Sequence, residues 1–86
     1  MFAVLVYDVN QKRVGKILKI CRKYLLHVQK SVFEGIITES KLNALKDELK
    51  NAIDFDDDGI CIYTTETTSV VMKEQIGVVE DYSHII

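Results

Sequence analysis

An unbroken apolar and aromatic run, Met1 to Tyr7, meets a carboxylate at Asp8. A continuous run of this length, rich in Val and aromatics, predicts a strand covered on both faces. A carboxylate cannot end such a strand inside a core without a partner for its charge. Asp8 therefore marks the place where the core stops. Two readings of it stay open. Either a function needs the group there, or Asp8 and Asn10 only cap the next helix.

Asn10 is a good cap for a helix from Gln11 to Tyr24. Val14, Ile17, Leu18, Cys21 and Leu25 recur at helical spacing and form its apolar stripe, with Lys12, Lys16, Lys19 and Lys23 on the opposite side. Gly15 is an interior flaw costing about 1 kcal/mol relative to Ala, and it offers room for close packing on a sheet. Leu25 to Thr38 is rich in β-formers and predicts one or two strands with a turn or bulge. The reversal falls at Lys30-Ser31 or at Glu34-Gly35. Thr38 or Ser40 caps a second helix, Glu39 to Ala52, whose buried stripe is Leu42, Leu45, Leu49 and Ile53. Ile60 to Tyr63 predicts a strand and Thr64 to Ser69 a polar loop. Val70 to Met72 and Gln75 to Val79 predict short terminal strands. Glu80 to Ile86 shows no periodicity.

At 86 residues the chain is one domain, residues 1–86. Strand, helix, strand, strand, helix, strand is the order of an α+β, ferredoxin-like βαββαβ sandwich, with two helices on one face of an antiparallel sheet. Right-handed crossovers make the first and third strands central and the fourth an edge. The extra C-terminal strand then has no place in its own sheet. A homodimer, in which that strand adds to the partner's edge, is the economical solution. Burying one sheet face between two copies would also help so small a chain.

No apolar run is long enough to span a membrane, and the N-terminus lacks the pattern of a signal peptide, so a cytoplasmic location is expected. Cys21 and Cys61 read as buried small hydrophobes, and with His27 and His84 they form no zinc spacing. The net charge of −2 hides an asymmetry. Residues 1–33 carry seven cationic side chains against Asp8 alone, a net of +6, and residues 34–86 a net of −8. Lys12, Arg13, Lys16 and Lys19 are thus candidate nucleic-acid contacts. The plainer readings are a solvated helix face, or two halves that neutralise each other in the fold.

Asp54, Asp56, Asp58 and Gly59 match the first half of a calcium loop, but its twelfth position is Thr65 rather than Glu. A solvated turn that stops the helix is the expectation. No glycine-rich phosphate loop or nucleophile elbow occurs. Ser31 is a nucleophile only with a base beside it, and His27 reads as structural.

Val6-Tyr7-Asp8-Val9 at the end of the first strand, followed by Val28-Gln29-Lys30-Ser31-Val32-Phe33-Glu34-Gly35, resembles the small CRISPR-associated adaptation protein. This is the smaller of the two universal spacer-acquisition proteins, also described as a metal-dependent endonuclease. The resemblance covers essentially the whole chain. It implies a ferredoxin-like homodimer in which Asp8 from both subunits shares one divalent metal, usually magnesium. It also implies catalytic roles for Asp8, Ser31 and Phe33, and Arg13 matches a basic position after the Tyr-Asp turn. The chain departs from the family in its short Asp8–Arg13 segment and in His27, which stands where Arg or Lys is common.

Two classes of function follow. One is a magnesium-dependent endonuclease acting on RNA or double-stranded DNA, a toxin-like messenger nuclease of similar fold being a variant. The other is a non-catalytic bridge that binds the large adaptation integrase and the backbone of spacer DNA. A ferredoxin-like small-molecule sensor is a weaker third. The reading favoured here is the bridge, accompanied by weak nuclease activity.

Overall fold

Strands and helices follow the order β1 (Phe2–Asp8), α1 (Gln11–Arg22), β2 (Leu26–Gln29), β3 (Val32–Ile36), α2 (Glu39–Ala52), β4 (Gly59–Thr67) and β5 (Val70–Gly77) in a computed structural model that describes residues 1–67 and 70–78. The terminal residues 79–86 lie outside that range. The helix starts follow from their caps. The Asn10 side chain accepts from the Lys12 N–H at 3.1 Å, and the Thr38 hydroxyl from the Lys41 N–H at 3.3 Å. α2 has the predicted bounds, whereas α1 stops two residues early, where the N–H groups of Tyr24 and Leu25 both turn back to the Cys21 carbonyl.

The sheet order is β2-β3-β1-β4-β5, with every neighbouring pair antiparallel. β1 and β3 are flanked on both sides, as the split βαβ order requires. The expectation for the extra strand is corrected. β5 pairs with β4 of its own chain, from Gly59 opposite Gly77 to Thr67 opposite Val70. β4 is therefore no edge. β-branched Thr64, Thr65 and Thr67 carry β4 through the stretch read as a loop, which gives β5 a full-length partner.

Strand alternation sorts the side chains onto two faces. Ala3, Leu5 and Tyr7 of β1 join Phe33, Ile60, Ile62 and Ile76 against Ile17, Ile20 and Cys21 of α1 and Leu42, Leu45 and Leu49 of α2. Both helices thus cover one face. Each Leu, Ile or Phe among them contributes about 1.5–3 kcal/mol when fully removed from water. Val6, Val32 and Cys61 form a smaller cluster on the helix-free face, flanked by Val4 and Tyr63. In register with them on that face stand Phe2, Leu26 and Ile36, the last two 72% and 78% exposed. Gly15 is not a point of close approach: its position is exposed, and a Cβ there would meet nothing within 4 Å.

Candidate functional site

β1 delivers Asp8 to the end of the sheet, opposite Gly59 of β4, and leaves it exposed. Its alternation with Val4 and Val6 assigns it to the helix-free face. Asn10 performs the capping, so the capping reading of Asp8 is closed. Among the described residues, no hydrogen bond or ion pair engages the Asp8 carboxylate.

The β2–β3 reversal lies at Lys30-Ser31, which settles the alternative left open by the sequence. Tyr7 pins it there. Its N–H donates to the Ser31 carbonyl at 3.0 Å, and its hydroxyl donates to the Lys30 carbonyl at 3.0 Å. The turn is thereby drawn beside the residue that follows Tyr7. Asp8, Lys30 and Ser31 line one open depression of about 240 Å³ with Tyr7, Val9 and Val14.

Ser31 has no base on its hydroxyl among the described residues. The His27 imidazole is engaged elsewhere: its Nε2 lies 3.1 Å from the Lys30 carbonyl, and its ring stacks on Phe33 at 4.6 Å. Phe33 is fully buried, with Tyr7 on its other flank at 6.3 Å. Phe33 belongs to the main core cluster.

Lys12, Lys16 and Lys19 are exposed along α1 and make no ion pair among the described residues. Arg13 has a different place. Its guanidinium reaches Asp57 at 3.0 Å and grips both oxygens of Asp58. The expectation of a solvated acidic turn therefore fails at Asp58, which is fully buried. Its carboxylate also accepts the N–H groups of Asn10 at 2.7 Å and Asp54 at 3.0 Å. These donors, the Arg13 guanidinium first, outweigh burial and hold the Asp58 carboxyl down to about 2. The same inward turn of Asp58 removes the calcium-loop reading. Sequence reasoning missed this node because its members lie 45 residues apart.

Among the described residues, no cluster of three or more His, Cys, Asp or Glu side chains could hold a metal. At the depression beside the Lys30-Ser31 turn, one chain offers one carboxylate, Asp8. That suits magnesium, which takes one or two protein carboxylates and keeps several waters.

The family model described as CRISPR associated protein Cas2 matches residues 1–73. The chain belongs to the Cas2 family. A relative from Thermotoga maritima, named CRISPR-associated endoribonuclease Cas2, is 46% identical over 78 residues, covering 91% of this chain and 90% of the relative. One from Dictyoglomus turgidum with the same name is 41% identical over the same shares. A crystal structure of Cas2 superposes with a TM-score of 0.75 at 34% identity, covering 93% of this chain and 86% of that one.

In this Cas2 family member, the two stretches that carried the resemblance are neighbours in space. The Tyr7-Asp8 end of β1 and the Lys30-Ser31 turn meet at one depression, joined by the two Tyr7 hydrogen bonds. Lys30 is the lining residue that sequence reasoning left out. The undecided turn position hid it, since only a reversal at residue 30 brings it to Asp8.

Proposed function

We propose that the protein is a homodimeric, nucleic-acid-binding bridge of CRISPR adaptation that also hydrolyses phosphodiesters with magnesium held by two Asp8 carboxylates. One observation carries this reading. The unpartnered Asp8 stands at the end of a helix-free sheet face that bears Phe2, Val4, Leu26, Ile36 and Tyr63. Two copies that meet through this face about a twofold axis bring Asp8 towards its own copy. Two adjacent carboxylates repel, and a cation between them removes that cost. Bound there, magnesium would activate water and neutralise charge developing on the phosphate.

The chain's own residues do the rest. Asp8 binds and orients the ion. Lys12, Lys16 and Lys19 hold the strand by its phosphates, independent of base sequence and weakened by salt. The large adaptation integrase is the protein partner in this reading. The endoribonuclease names of the relatives support hydrolysis, with RNA as one substrate. A purely scaffolding role is the second reading, favoured by Lys12, Lys16 and Lys19, which are exposed along one helix and make no ion pair among the described residues.

A magnesium titration of cleavage, on RNA and on duplex DNA, separates the two. Wild-type protein is expected to cut only with the metal, and Asp8→Asn to lose at least about a hundredfold in rate. Cleavage by Asp8→Asn at the wild-type rate refutes the metal site. Absence of cleavage by both, with nucleic acid still bound, leaves the scaffold.

A further inference from the structure

Lys30 is exposed, and its ammonium has no ion pair among the described residues. Three cations of this chain are neutralised: Arg13 by Asp57 and Asp58, Lys23 by Glu48, Lys46 by Glu74. Lys30 also differs in how firmly its backbone is held. Tyr7 donates its hydroxyl to the Lys30 carbonyl, and His27 Nε2 lies on the same oxygen. A carbonyl oxygen has two lone pairs, and these two groups can use both. The turn is tied once more by the Tyr7 N–H on the Ser31 carbonyl. A free cation therefore rises from a fixed base on the rim of the depression that holds the free Asp8 carboxylate.

We infer that Lys30 is a phosphate contact of the Asp8 site and that Tyr7 is the residue that positions it, an inference that rests on the nucleic-acid reading proposed above. The ligand is the phosphodiester backbone of RNA or DNA. Lys30 would take a non-bridging oxygen of a phosphate next to Asp8. A lysine is a point charge with rotatable donors, so it fits the backbone without reading the bases.

The test is binding by Asp8→Asn protein, which separates contact from cleavage. Fluorescence anisotropy follows a single-stranded RNA and a duplex DNA, each in two unrelated sequences, between 50 and 200 mM salt. Adding Lys30→Gln should weaken binding about tenfold, equally for both sequences, and lower the log–log salt slope by about one. Lys30→Arg should keep the affinity within about threefold, since charge is retained. The nucleic acid that shows the loss identifies the ligand. Unchanged affinity and slope for both overturn the Lys30 contact.

Tyr7→Phe keeps the ring and removes the hydroxyl. It should weaken binding when Lys30 is present and add nothing in the Lys30→Gln protein. An equal loss in both backgrounds overturns the positioning role. Should protein with Asp8 intact never cut, while Lys30→Gln still loses affinity, the hydrolytic reading fails and the contact stands.

Discussion

Arg13 and Asp58 clasp each other across 45 residues of chain, with no part of the Asp58 side chain exposed. The pair ties the start of α1 to the loop before β4. Asp58 further receives the N–H of Asn10, two residues beyond Asp8, so it also fixes the chain that leaves the candidate site. Asp58→Ala should cost about 3 kcal/mol, because it strands a mostly buried guanidinium and several N–H donors. Urea unfolding checks this, with the reciprocal Arg13→Ala expected to cost a similar amount.

Acid should attack the same node. The folded Asp58 carboxyl titrates at about 2, below its ordinary value of 3.8. A lowered carboxylate gives stability that is complete above its unfolded value and is lost as pH falls through the folded one. The Asp58 contribution is therefore full above about pH 5 and disappears towards pH 2. Melting temperatures of wild type and Asp58→Asn, taken from pH 7 to 2, should converge across that window. Parallel curves would show that Asp58 does not titrate there.

Two glycines should respond in opposite ways to alanine. At Gly77 φ is +91°, and a Cβ would sit 1.9 Å from the Asp58 carbonyl oxygen. Gly77→Ala should lose about 2 kcal/mol or more from strain alone. Gly15 lies in α1 with open space around its Cα, so Gly15→Ala should gain about 0.5–1 kcal/mol. Thermal melts of the two variants should shift to opposite sides of wild type.

Much of this was legible in the chain. Thr38 with Leu42, Leu45 and Leu49 defines α2 to the residue, since cap and stripe are both local. Asn10 does the same for the start of α1. The turn at Lys30-Ser31 was not legible, because Tyr7 places it through hydrogen bonds spanning 23 residues. Asp58 looked like one more solvated acid of the 54–58 run, since its burial depends on an Arg far away in sequence. β5 was misplaced for a related reason. Thr64 to Thr67 are polar by composition yet strand-forming by shape, and only pairing with β5 reveals which property prevails. At the candidate site, Asp8 was legible from its abrupt position after seven apolar residues. Lys30 was not, because Tyr7 fixes the turn that carries it.

The exposed apolar side chains bear on the dimer. Leu26 and Ile36 hold little of the core, so changing them should leave the fold intact. In sedimentation the wild type should run as the proposed dimer and Leu26→Lys with Ile36→Lys as a monomer, with a melting temperature at low concentration that stays close to wild type. A dimer that persists unchanged would mean that copies associate elsewhere.

The account turns on Asp8 sharing one cation with its copy. Isothermal titration of magnesium or manganese into the protein measures this directly, alongside Asp8→Asn. The account predicts one ion per two chains for wild type, and binding weakened at least about tenfold in Asp8→Asn with no loss of thermal stability beyond about 0.5 kcal/mol. Equal metal affinity in the two proteins, or one ion bound by each isolated chain, would contradict it.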